Sequence, residues 1–128
     1  MNSADAYRLE ALLELAAASP TSLTVREIAR RRRIPATFLA RLLGELARDG
    51  LVVTARGPRG GVRIGAPPGE IRLAALLRRE VGPETGGAAV RWLERQLADA
   101  ERQALARLTL ATLLEVERQR GDAFGYEI

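Results

Sequence analysis

Apolar residues in the first part of the chain follow the spacing of a helix with one buried face. Between residues 4 and 18 they recur at i, i+3, i+4 and i+7: Leu9, Leu12, Leu13 and Ala16. Ser19-Pro20 ends this helix, because the residue before a proline avoids the α region. We expect residues 21–23 to form a short strand beside a later hairpin.

A second helix is predicted to begin after Thr24. The run Thr24-Val25-Arg26-Glu27 is a capping box, in which the threonine hydroxyl accepts from the Glu27 amide and the Glu27 carboxylate reaches back to Thr24. The helix is predicted to extend to about Arg32.

A third helix is predicted to follow after only three or four residues. Ile34-Pro35 breaks the second helix, and proline is well tolerated in the first turn of the next one. Gly50 ends the third helix with a left-handed cap. Its apolar face holds Leu39, Leu42, Leu43 and Leu46. Two helices joined by such a short turn indicate a helix-turn-helix.

Two short β-type runs, 51–55 and 62–65, follow the third helix. They enclose the sequence Arg56-Gly57-Pro58-Arg59-Gly60-Gly61, which has the composition of a hairpin tip. A hairpin directly after a helix-turn-helix predicts a winged helix. The expected fold is mainly α, with a small β-hairpin wing and a long C-terminal dimerisation helix.

The second half of the chain is predicted to be helical and to mediate association. A stiff connector at residues 66–69 leads to a short helix at 73–81, and a Gly/Pro-rich break follows at 82–87. A last helix is predicted from Leu110 to Gln119. Between the break and that helix, apolar residues spaced three and four apart form a narrow seam suited to pairing with another helix: Val90, Leu93, Leu97, Ala100, Ala104 and Leu108. The predicted organisation is a DNA-binding domain at 1–81, a dimerisation region at 82–120 and a loose tail at 121–128.

The charge distribution separates the two halves. Residues 1–79 carry 14 arginines against 7 acidic residues, whereas residues 80–128 carry 6 against 9. A cationic front half suits an anionic partner, and double-stranded DNA is the partner that a winged helix predicts.

Several classes of site are excluded by composition. The chain has no cysteine and no histidine, so it supplies no disulfide, no thiolate nucleophile, no zinc-finger site and no histidine general base. No cofactor and no metal site are predicted, because the carboxylates Glu80, Glu84 and Glu94 match no ligand motif. The sequence offers no apolar run of membrane-spanning length and begins with no signal-peptide pattern, so a cytoplasmic protein without a membrane partner is expected.

The helix-turn-helix run TVREIARRRRIPATFLARLLGELARDGLV and the wing run RGPRGGVRIGAPPGEI resemble the winged-helix repressors of the Rrf-two (Rrf2) family. IscR, NsrR, RirA and CymR belong to that family. The resemblance covers about residues 7–81, and the RGPxGG wing motif is its most specific part. It implies a homodimer held by the long helix, recognition helices in successive major grooves and a wing in the minor groove. Many members bind an iron–sulfur cluster through three cysteines, and those cysteines are missing from this chain.

The predicted DNA-contacting residues lie on the two helices of the helix-turn-helix and on the wing. They are Arg26, Arg31, Thr37, Arg41, Arg56, Pro58, Arg59, Gly60, Gly61 and Arg63. Some of the run Arg30 to Arg33 is expected to anchor phosphates rather than only to face solvent. Arg41 either contacts a guanine or pairs with Glu45 one turn later. Phe38 is expected to pack in the core.

The predicted dimerisation residues are the seam residues together with Trp92. A single tryptophan there either anchors a dimer or interdomain core, which is the preferred interpretation, or stacks on a small ligand.

Three functions are weighed. The first is a dimeric, sequence-specific DNA-binding transcriptional regulator that represses by occupying a two-fold symmetric operator. The second is a protein-interaction module whose winged helix binds a protein partner. The third, an enzyme acting on nucleic acid, is disfavoured because the sequence shows no catalytic motif. For a regulator, the signal would arrive as a small-molecule effector, through a protein partner or by pairing with a related chain, and the sequence ranks none of these.

Overall fold

The structure is a computed structural model that describes residues 1–57, 60–77 and 85–121. Its helices are α1 (Ser3–Ala18), α2 (Val25–Arg32), α3 (Ala36–Arg48), α4 (Leu73–Leu76), α5 (Ala88–Leu105) and α6 (Leu110–Gln119). Strands β1 (Val52–Ala55) and β2 (Gly61–Ile64) form an antiparallel hairpin in which Val53 pairs with Arg63. A single 3₁₀ turn at Pro68–Glu70 connects the hairpin to α4. None of the described helices is long and apolar enough to cross a lipid bilayer.

The predicted boundaries of the helix-turn-helix are confirmed. The Thr24 hydroxyl accepts from the Glu27 amide at 3.1 Å, and the Thr24 amide donates to the Glu27 carboxylate at 2.9 Å. After α3, Gly50 adopts a positive φ of 77°, a conformation that costs glycine little and other residues more. α2 and α3 are therefore fixed at the ends that the sequence indicated.

The core forms where α1 packs against α2, α3, the hairpin and α6. The apolar face of α3 is buried as predicted, at Leu39, Leu42, Leu43 and Leu46. Leu110 and Leu114 of α6 belong to the same core. The C-terminal helix is thus packed onto the winged helix of its own chain.

Three predicted elements differ from the structure. Residues 21–23 form no strand; Leu23 makes only an isolated bridge to Val62 of β2. α4 ends at Leu76 rather than at residue 81, and residues 78–84 lie outside the described part of the chain. α5 ends at Leu105, so Leu108 is not on the seam helix. The Leu108 carbonyl instead accepts from the Leu73 amide at 3.1 Å, because the chain pairs here with the segment before α4.

Arg32, a buried arginine of α2, joins this helix to α1 and α6. Only 5% of the Arg32 side chain is exposed, and its guanidinium donates to Glu10, Glu14 and Glu117 at 2.7 to 3.2 Å. Burial acts to lower the pKa of Arg32, but the hydrogen bonds to the three carboxylates outweigh it and raise the pKa. The arginine therefore stays charged and links α1, α2 and α6.

Candidate nucleic-acid interface

The face of α3 that points away from the core is exposed. Its exposed residues are small or cationic: Ala36, Thr37, Ala40, Arg41, Gly44 and Arg48. The Glu45 carboxylate borders this stripe and is paired with Arg8 of α1. The opposite face holds the buried leucines, so the helix cannot rotate to hide this stripe. Thr37 and Arg41 therefore lie on the accessible side of the helix, near its N-terminal end, as the sequence predicted.

Arg41 does not form the predicted alternative pair with Glu45. Its guanidinium carbon lies 4.8 Å from the centroid of the Phe38 ring, one turn earlier on α3. Phe38 is half-buried and meets Tyr7 of α1 edge to face, with ring centroids 5.7 Å apart. The prediction that Phe38 is a core residue is wrong, because the ring lies beside the core under the guanidinium of Arg41.

The arginines at the end of α2 differ in their exposure to solvent. Arg32 is buried in the carboxylate cluster, while Arg30 is exposed. Arg31 donates to Glu14 at 3.2 Å, and 44% of its side chain remains exposed. Arg26, in the first turn of α2, is also exposed.

Sequence reasoning missed the role of Arg32. A signal was present, because Arg32 follows Ile28 and Ala29 at i+4 and i+3 and so shares their buried face. A charge that falls on the buried face of a helix needs partners. Glu10 and Glu14 lie one turn apart on α1 and provide two of them.

The wing exposes two of its predicted contact residues. Arg56 lies at the end of β1, and Arg63 on β2 points outward opposite Val53; both are exposed. Pro58 and Arg59 lie outside the described residues.

Packing within the chain explains why the wing has glycine at positions 60 and 61. A Cβ on Gly60 would lie 2.6 Å from the Ala55 carbonyl oxygen, and one on Gly61 would lie 2.7 Å from that of Leu23. Both residues are half-buried. The close packing of the hairpin backbone therefore requires glycine at both positions, whatever the wing binds.

Helix α5 exposes its apolar seam in the single chain. None of its residues is buried, and the exposed fractions are 52% for Val90, 50% for Leu93 and 46% for Leu97. Ala100 and Ala104 continue the same exposed side. An apolar stripe of this length is typical of an interaction surface.

Trp92 does not belong to this stripe. It is 56% exposed, and the helical rotation of about 100° per residue turns it away from Leu93 and towards Gln96 and Asp99. Among the described residues it packs in no interdomain core. Trp92 therefore lies beside the seam on α5, and its part in dimerisation stays a prediction.

Comparisons with known proteins agree with this geometry. The family model described as "Rrf2: Iron-dependent Transcriptional regulator" matches residues 1–86. The chain belongs to the Rrf2 family. A protein of Rhodobacter capsulatus named as an rrf2-like HTH-type transcriptional regulator is 41% identical over 81 residues, which are 60% of this chain and 54% of that protein. A second HTH-type regulator, from Aquifex aeolicus, is 39% identical over 67 residues, or 52% of this chain and 46% of that protein.

Solved Rrf2-like structures share the fold over most of the chain. IscR from T. potens superposes with a TM-score of 0.82 at 23% identity, covering 98% of this chain and 93% of that one. CymR from Staphylococcus aureus gives a TM-score of 0.76 at 28% identity, covering 89% and 97%. By contrast, the chain spans about half the length of the curated relatives that it matches. The winged-helix fold predicted from the sequence is confirmed.

The iron in the family's description does not fit the donors of this chain. Iron–sulfur clusters are held by cysteine thiolates, with histidine in some centres, and the chain contains neither residue. Among residues 1–57, 60–77 and 85–121, no three carboxylates come together as a metal site. A cluster would need ligands from outside this chain.

Proposed function

We propose that this chain is a homodimeric DNA-binding transcriptional regulator that represses by occupying a two-fold symmetric operator. Each protomer places α3 in a major groove, with Thr37 and Arg41 at the base edges. The observation that carries the proposal is the exposed stripe of α3, which is cationic or small throughout. Membership of the Rrf2 family supports the same function.

The phosphate contacts are assigned to cations that flank the stripe. Arg26 and Arg31 approach the backbone from α2, and Arg56 and Arg63 approach it from the wing. Arg31 can turn to a phosphate because 44% of its side chain is exposed and its ion pair with Glu14 is of the weak surface kind. The sequence assigns the remaining DNA contacts to the wing tip, at Pro58, Arg59, Gly60 and Gly61.

The regulator is proposed to work without an iron–sulfur cluster, because the chain brings no thiolate. Its signal is then a small-molecule effector, a protein partner or a related chain that replaces one protomer. A search for stabilising ligands by thermal shift separates the first of these from the other two, since a ligand that binds the folded state raises its stability.

Selection of bound duplexes from a random DNA pool tests the proposed function. An enriched sequence with two-fold symmetry is the expected result. No enrichment, with the protein folded, would contradict DNA recognition and favour the alternative in which the winged helix binds a protein.

Dimerisation through the seam of α5 predicts a large effect of charge at its centre. Leu97→Glu places a carboxylate in each half of the interface, where an unpaired buried charge costs several kcal/mol, so dimer affinity should fall about 100-fold or more. Sedimentation equilibrium measures this directly. Gln96→Glu adds the same charge roughly 100° around the helix and should leave the dimer intact. Equal dimer affinity for the two variants would place the interface elsewhere.

A further inference from the structure

Arg41 differs from the other exposed arginines of the described residues because its guanidinium lies against an aromatic ring, while no acidic side chain there neutralises its charge. In the part of the chain that the structure describes, its guanidinium makes no hydrogen bond or ion pair. It lies over the Phe38 ring, with its carbon 4.8 Å from the ring centroid. This contact uses none of the guanidinium N–H groups as hydrogen-bond donors and so leaves them available to a ligand.

The ring under Arg41 is held by a different helix. Tyr7 of α1 contacts Phe38 at a centroid distance of 5.7 Å with an interplanar angle of 75°, which is a favourable edge-to-face geometry. Phe38 is therefore constrained by α3 through its backbone and by α1 through its ring. The guanidinium rests on a platform that does not depend on DNA.

The acidic residue that would otherwise compete for Arg41 is engaged elsewhere. Glu45 is one turn further along α3, at the i+4 spacing that favours an ion pair. Its carboxylate instead lies 3.5 Å from the guanidinium of Arg8, which also donates to Asp5 at 2.9 Å. Neighbouring residues of α1 thus perform two tasks: Tyr7 holds the platform, and Arg8 occupies Glu45.

We propose that Arg41 is the guanine-reading residue of each half-site and that Phe38 is the positioning residue that holds its guanidinium for this contact. The proposal rests on the proposed DNA-binding function and specifies what it recognises. The edge N–H groups of arginine match the O6 and N7 acceptors of guanine in the major groove. Because the contact with the Phe38 ring limits the orientations of a long side chain before DNA arrives, less freedom is lost when the contact with guanine forms.

The test uses the operator obtained with the wild-type chain and a matched duplex in which 7-deazaguanine replaces one guanine in each half-site. This replacement removes the N7 acceptor and leaves the base pair intact. The readout is the ratio of affinities for the two duplexes, measured by fluorescence anisotropy. A loss of fold or of phosphate contact lowers both affinities together and leaves the ratio unchanged.

For the wild-type chain we expect a severalfold ratio, below the roughly 5 to 150 of a whole bidentate contact, because the analogue keeps the O6 acceptor. Arg41→Ala removes every donor at this position, so its ratio should approach one. Phe38→Leu keeps Arg41 and removes the platform, so its ratio should fall towards one. Arg118→Ala, on α6, is the matched control and should keep the full ratio.

Two results would overturn the proposal. If Arg41→Ala keeps the wild-type ratio, another residue reads the guanine. If Phe38→Leu keeps it while Arg41→Ala loses it, the ring has no positioning role. Failure of the proposed function looks different, because the wild-type chain would then select no operator at all. Should Phe38→Leu fail to fold, Tyr7→Leu removes the edge contact that holds the ring and is expected to lower the ratio in the same direction.

Discussion

Replacing Arg32 with alanine should lower the free energy of unfolding by about 3–5 kcal/mol, the usual cost of removing one partner from a buried ion pair. The Arg32 side chain is 5% exposed, and its guanidinium is shared by Glu10, Glu14 and Glu117. Its loss leaves three carboxylates close together without their common cation. The effect should appear as a lower urea midpoint, because Arg32 links α2 to α1 and α6.

Arg31→Ala is the matched control for this substitution. Arg31 is the preceding residue and also pairs with Glu14, but its side chain is 44% exposed. Ion pairs of this kind contribute about 0–1 kcal/mol, so the midpoint should change little. If Arg32→Ala were as mild as Arg31→Ala, the carboxylate cluster would not stabilise the fold.

The affinity of the dimer for its operator should fall by about 10³-fold or more between 50 and 200 mM salt. This expectation follows from roughly 6–10 phosphate contacts, each of which releases a condensed counterion. Fluorescence anisotropy across a salt series gives the slope of log affinity against log salt. A slope near zero would exclude an interface built on phosphate contacts.

Arg63→Ala should reduce that slope by about two, because each protomer loses one phosphate contact. Arg63 is exposed on β2, and the substitution removes no contact in the core. Arg118→Ala removes an equally exposed cation from α6 and should leave the slope unchanged. An equal effect of both substitutions would indicate general charge attraction rather than contact by the wing.

The sequence predicted those elements whose ends have local chemical causes. The capping box at Thr24, Pro35 and Gly50 define α2 and α3 through their own side chains and backbones. α6 was predicted with its observed bounds, Leu110 to Gln119. Elements that depend on tertiary pairing were predicted less well. Leu23 forms only an isolated bridge to Val62, and α5 ends before Leu108, whose carbonyl accepts from the Leu73 amide.

Single side chains of the candidate site were harder to predict than the elements that carry them. The exposure of Thr37 and Arg41 follows from the helical period. The partner of Arg41 does not follow from this period. Tyr7 and Arg8 lie on α1, some thirty residues earlier, and they contact Phe38 and Glu45. Arg32 was one of four adjacent arginines, and only packing against α1 and α6 separates it from the others.

Two copies of this chain are proposed to bind one duplex through two matched half-sites. The direct measurement compares the selected operator with a duplex in which five base pairs are inserted at its centre, using anisotropy and the stoichiometry at saturation. The half-site centres should lie roughly one helical turn apart, 10–10.5 bp, or a multiple of it. A half-turn insertion therefore moves one half-site to the opposite face of the DNA. We expect two chains per operator and a loss of about 10³-fold or more on insertion, to the level of random DNA. Equal affinity for both duplexes, or one chain per operator, would contradict the account.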